Sequence, residues 1–187
     1  MKRTLVTIAL VLVALAASPA AAHDEIVIEN FPQPAIDVRF SNDFGQARAG
    51  HFHQGNDLLG VKLQPVVAVA SGVVTRIDSG STAGNWIVIS HQGEWESWYM
   101  HLNDDTPGTD DGSVGPREFV ADSIEVGGFV EAGQLIGLVG DSGNAEWTTP
   151  HTHFEIHHHG AIVNPYPYLI EVRERELRLL EKVGLVL

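Results

Sequence analysis

The sequence predicts an all-β domain, a sandwich or barrel of short strands, and three observations carry that prediction. From about residue 37 to 168 the apolar residues come in short bursts rich in Val and Ile, Gly, Pro, Asp and Ser separate the bursts at close intervals, and nowhere does a 3.6-residue apolar period persist long enough for a long helix. The candidate strands, in order, are residues 66–69, 72–77, 86–90, 96–102, 134–139 and 151–157. Each is bounded by turn formers, as where Ser71-Gly72 divides the first two and Asn164-Pro165 follows the last. Between the fourth and fifth strands, residues 103–115 are dense in Asp, Gly, Thr and Pro, which reads as a solvated surface loop. Its four aspartates match no calcium-loop spacing, and its position after His101 points to one wall of a substrate groove. Residues 169–183 alternate Glu and Arg with Leu177, Leu179 and Leu180, the pattern of a short amphipathic helix packed on the domain.

The N-terminus decides the expected compartment. Lys2 and Arg3 precede an apolar run from Leu5 to Ala17, and small residues through Ala22 supply a cleavage site, so residues 1–22 read as a secretory signal peptide. The run is shorter than the roughly 20 residues that cross a bilayer as a helix. Residues 23–36 are then an N-terminal extension, 37–168 one domain and 169–187 a C-terminal helix. The chain has no cysteine, so burial, with or without a metal, must stabilise it in place of disulfides. Without Lys2 and Arg3, nine basic residues oppose 24 acidic ones, a net charge of −15. Such a surface repels nucleic acid and anionic lipid, leaving a soluble protein secreted or held in the periplasm or cell wall.

Ten histidines are many for this length, and they are grouped. His53 and Asp57 stand four residues apart, a spacing that returns to one side of a strand or a helical turn. His151 and His153, in a segment whose Phe154 and Ile156 predict a strand, share one face. Two nitrogens and one carboxylate oxygen would leave a zinc ion a fourth position for water, as catalytic zinc requires. His51 and His91 read as surface or turn histidines, and the triplet of histidines at 157, 158 and 159 as an exposed strand end.

The motifs taken together resemble the lysostaphin/LytM-type zinc endopeptidases. The likeness runs from His53-Gln-Gly-Asn-Asp57 through Gly72-Val-Val, Trp86-Ile-Val-Ile-Ser-His91 and Tyr99-Met-His101-Leu, to Val130-Glu-Ala-Gly133-Gln-Leu-Ile-Gly137, Pro150-His-Thr-His-Phe-Glu-Ile156 and Asn164-Pro165. It implies an antiparallel β-sandwich or half-barrel of the barrel-sandwich hybrid type. It also implies one zinc on His53, Asp57 and His153, with His101 and His151 as the catalytic pair beside the water. Peptidoglycan stem or cross-bridge peptides are the implied substrate, for a monomer with no nucleic-acid or membrane partner. Thr152 stands where the family commonly has leucine, and alternation turns it away from the metal. A silent relative that activates another wall hydrolase is the competing reading. Lipoyl-type carriers share the Gly72-Val-Val pattern but need a lysine at a hairpin tip, and after the leader only Lys62 and Lys182 remain.

Overall fold

A computed structural model describes residues 25–115 and 119–185, so the signal-peptide reading of residues 1–22 lies outside the described residues. Eleven strands and one helix follow the chain as β1 Ala47–Arg48, β2 His51–Phe52, β3 Asn56–Leu59, β4 Pro65–Val67, β5 Gly72–Gly80, β6 Gly84–Ser90, β7 Trp95–Leu102, β8 Phe129–Val130, β9 Leu135–Leu138, β10 His151–His158, β11 Ala161–Val163 and α1 Tyr166–Lys182. Every pairing is antiparallel, and the largest sheet runs β11-β10-β7-β6-β5-β8 without closing, with β3 also on β10. Two smaller sheets, β1-β2 and β4-β9, complete the domain. The all-β expectation and the C-terminal helix therefore match the architecture.

Strand alternation builds the core. On β7 Ser97 and Tyr99 are fully buried, and on β10 Thr152, Phe154 and Ile156 are too, meeting Leu58, Val66, Ile87, Ile89 and Ile136 in one hydrophobic cluster. The opposite face of β10 carries His151, His153 and Glu155, which line a groove. Both faces of this strand are covered, which is why a segment of alternating polar residues is buried along most of its length.

The helix begins three residues before the expected start. Asn164 Oδ1 accepts the N–H of Tyr166 at 3.0 Å, and the proline after Tyr166 fits a first turn, where a missing N–H costs nothing. Leu169, Val172 and Arg173 form its buried side. The N-terminal segment is held beneath it. Ile26, Ile28 and Phe31 join the core, Phe31 donates its N–H to Glu176 Oε1 at 2.8 Å, and the Arg173 guanidinium lies 3.7 Å from the Phe31 ring centre. Among the described residues no helix is long and apolar enough to cross a membrane.

Loop 103–115 folds back on the turn between β3 and β4. Lys62 pairs with Asp105 at 2.6 Å, with Asp141 at 2.8 Å and with Asp110. Desolvation alone would weaken this ammonium's hold on its proton, but the three carboxylates outweigh it and raise its pKa. None of residues 103–115 lines the groove that holds the histidines, so the expected groove wall is corrected. The loop instead borders a separate hollow of about 470 Å³ with Gly84, Ser142 and Gly143, because Lys62 ties its Asp105 and Asp110 to the turn between β3 and β4.

One core atom is poorly provided for. Thr152 is fully buried, and its Oγ1 has no hydrogen-bond partner among the described residues. An unpaired buried hydroxyl costs about 1 kcal/mol or more. Thr152→Val, which keeps the shape and the strand preference, is therefore expected to raise thermal unfolding by roughly 2–4 °C. A lowered midpoint in calorimetry would contradict that assignment.

Candidate metal centre

The register of β3 on β10 assembles the centre. It sets Asp57 directly opposite His153 and Asn56 opposite Phe154. The approach requires glycine at position 55, since a Cβ there would lie 2.3 Å from Phe154 O and 2.8 Å from His153 Nε2. His53, just before β3, then comes alongside. His53 Nε2 lies 3.0 Å from Asp57 Oδ1 and 2.9 Å from His153 Nδ1, and His153 Nδ1 lies 3.1 Å from Asp57 Oδ1. Two imidazole nitrogens and one carboxylate oxygen thus form a nearly equilateral triangle. Ligands bound tetrahedrally to zinc at about 2.0–2.1 Å stand roughly 3.4 Å apart.

The outward nitrogens fix how the rings face. His53 Nδ1 is 3.0 Å from the carbonyl oxygen of Asp43, an acceptor only, which turns Nε2 toward the triangle. His153 Nε2 is 3.0 Å from Glu155 Oε1, which turns its Nδ1 inward in the same way. Without an ion the inward nitrogens hydrogen-bond to Asp57 Oδ1, and displacing those protons would leave three ligand atoms facing one cation. The surrounding charges agree. Asp43, Asp57 and Glu155 gather three carboxylates around the triangle, with Arg48 against the first two and the His153 and His157 rings against the third.

The titration behaviour has the same cause. Burial opposes ionisation of Asp57, but hydrogen bonds from His153 and His53 and the charge of His151 outweigh it and hold the carboxyl well below its ordinary range. Burial would lower His153, yet the adjoining carboxylates of Asp57 and Glu155 raise it to about 9. Glu155 itself is resisted by desolvation and still lowered to about 2 by His153 and His157.

The two remaining histidines named from the sequence stand beside the triangle. His101 and His151 have ring centres 4.9 Å apart, and His151 Nε2 is 3.7 Å from Asp57 Oδ1. Their Nδ1 atoms are also anchored, to Ser142 O at 2.9 Å and Thr149 O at 2.8 Å, so each directs a bare Nε2 inward. His101 has a left-handed backbone, φ 59°, which costs a residue with a Cβ about 1–2 kcal/mol. Burial, foremost, and the neighbouring His151 and His153 rings lower its pKa to about 3. At neutral pH it is an uncharged proton acceptor.

All five sequence-derived residues, His53, Asp57, His101, His151 and His153, therefore meet along one groove of about 920 Å³. Other residues were not legible in the sequence. Glu155 and Asp43 fix two rings, and Arg48 donates from Nη2 to Asp57 Oδ2 at 3.0 Å. The sequence signal for Glu155 was its place two residues after His153 on the same strand face. His51 lines the groove and is exposed, whereas His91 is buried elsewhere between Ser71 O and Ser97 Oγ. The reading of His157 as an exposed strand end is corrected: it hydrogen-bonds Glu155 Oε2 at 2.6 Å and stacks on Trp98 with ring centres 4.6 Å apart.

Fold and donor set define a class: an open antiparallel sheet with a His-Asp-His cluster that could hold a metal ion on its grooved face. Residues 51–114 and 117–165 match the signature described as peptidase family M23, and the chain belongs to that family. It is 32% identical over 134 residues to the murein hydrolase activator NlpD of Salmonella typhimurium, covering 71% of this chain and 30% of that protein. Among solved structures, a putative glycyl-glycine endopeptidase lytM from Ruminococcus gnavus superposes with a TM-score of 0.59 at 26% identity, covering 80% of this chain and 61% of that one. The catalytic domain of the antimicrobial peptidase lysostaphin from Staphylococcus simulans gives 0.55 at 26% identity, over 72% and 93% of the two chains. The chain spans less than a third of the length of the curated relatives it matches.

Glu155→Gln tests the outer partner of His153. The amide retains the shape but loses the charge, and zinc affinity measured by chelator competition is expected to fall about 10–100-fold. Unchanged affinity would show that Glu155 does not orient the ligand.

Proposed function

We propose that this chain is an exported zinc endopeptidase that hydrolyses stem or cross-bridge peptides of peptidoglycan. His53, Asp57 and His153 are its ligands, and His101 and His151 its catalytic pair. The convergence of two imidazole nitrogens and one carboxylate oxygen beside two further inward-facing imidazoles carries the reading. When bound, zinc supplies Lewis acidity for a carbonyl and lowers the pKa of water toward neutrality.

The remaining chemistry follows from the rings. Both His101 and His151 begin as acceptors at Nε2, so either takes a proton from water directed at the scissile carbonyl. Proton uptake turns that Nε2 into a donor. The same ring then faces the negative oxygen of the tetrahedral carbon and can return the proton to the leaving amine. Glu155 and the carbonyls of Asp43, Ser142 and Thr149 keep the rings from turning during the transfer.

Export rests on the reading of residues 1–22, and the substrate on the names of relatives that act on murein and on staphylococcal walls. Similarity to an activator favours one competing role, a silent regulator of another wall hydrolase. The complete set of five residues opposes it.

Purified chain carrying one zinc is expected to release peptide-cleavage products from peptidoglycan, identified by mass, with His53→Ala slower by about two orders of magnitude or more. Inert wild-type protein that stimulates a partner hydrolase would establish the regulator instead.

A further inference from the structure

His157 has no part in the chemistry above, yet its contacts lead to the triangle of ligand atoms. Glu155 is 5% exposed, and a carboxylate placed so deeply is tolerable only when both of its oxygens are satisfied. Oε1 lies 3.0 Å from His153 Nε2, and Oε2 lies 2.6 Å from His157 Nε2. An ionised carboxylate accepts and never donates, so the two imidazoles donate to it, one to each oxygen.

His157 is itself held from the other side. Trp98 stands opposite Glu155 in the β7-β10 register and Val88 opposite Trp98 in that of β6 and β7, so alternation puts Trp86, Trp98 and His157 on the sheet face that carries His153. Their rings form a ladder across three strands. Trp86 and Trp98 stack with ring centres 5.1 Å apart and planes 10° apart, and Trp98 and His157 with centres 4.6 Å apart and planes 7° apart. Arg76 on β5 closes the far end, its guanidinium carbon 5.2 Å from the Trp86 ring centre. Trp98 also donates from Nε1 to Glu96 Oε2 at 3.0 Å, which ties down its edge. The stack therefore sets the plane of the His157 ring, and the bond to Glu155 sets its rotation within that plane.

We propose that His157 is a positioning residue for the metal centre: clamped by Trp98, it holds Glu155 so that Oε1 meets His153 Nε2 and His153 Nδ1 stays aimed at the ion. The inference rests on the metal reading above. A ladder that only stabilised the sheet would behave differently, since loss of the Nε2 donor would then change the melting point and leave metal binding alone.

The test measures zinc affinity of the full chain by chelator competition, with melting of the zinc-free protein as the stability reference. His157→Phe keeps a flat ring against Trp98 and removes the donor, and it is expected to weaken zinc about tenfold, the lower end for loss of an outer partner. His157→Gln returns an N–H donor and recovers most of that loss. Trp98→Leu keeps the donor but frees the ring, and a smaller loss is expected. In a Glu155→Gln background His157→Phe weakens zinc no further, because the carboxylate through which it acts is gone. Wild-type affinity in His157→Phe, equal losses in the Phe and Gln variants, or additive losses in the double variant overturns the proposal while the metal reading stands. A wild-type chain that holds no zinc overturns the metal reading and this inference with it.

Discussion

The structure depends on a restriction placed on four imidazole rings: each has its outward nitrogen bound as a donor to a fixed oxygen. Those oxygens belong to Asp43, Ser142, Thr149 and Glu155, three backbone carbonyls and one buried carboxylate. A free imidazole can exchange tautomers or turn over. These cannot do so without stranding a buried N–H, at a cost of about 1–3 kcal/mol each. The inward orientation of the four rings is therefore a property of the fold, present before any ligand arrives.

The sheet makes that restriction possible. β10 is bordered by β3 and β11 along one edge and by β7 along the other, so its grooved face is supplied from several segments distant in sequence. Asp57 comes from β3, His101 from the end of β7 and His153 from β10 itself. A one-residue slip of β3 on β10 would turn Asp57 toward the core and Leu58 toward the groove. The fully buried Leu58 and Phe154 oppose such a slip, so core packing and site assembly enforce the same register.

Much of this was legible because its signals are short in range. The six stronger strands announce themselves through Val and Ile bursts, four of the site residues through spacings of two and four, and His101 through the family resemblance of Tyr99-Met-His101-Leu. What escaped was set by pairings at long range. β3 is a four-residue strand of Asn, Asp and two leucines, and β8 and β11 are two and three residues long, too brief for periodicity to register. Arg48 reaches Asp57 through a hairpin of two-residue strands. The acidic loop was misplaced because the partner that fixes it, Lys62, lies more than forty residues away. The segment before residue 37, read as an extension, gains its place through core contacts of Ile26, Ile28 and Phe31 and through Arg173 and Glu176 of a helix at the other end of the chain.

The account stands or falls on three atoms, His53 Nε2, Asp57 Oδ1 and His153 Nδ1, acting as one ligand set. X-ray absorption at the zinc edge of the purified protein measures this directly. The expected spectrum has a first shell of two imidazole nitrogens and light oxygen donors near 2.0–2.1 Å, with one oxygen exchangeable. His53→Ala and His153→Ala should each abolish it. A zinc environment that survives both substitutions, or a closed shell without exchangeable oxygen, would contradict the central claim.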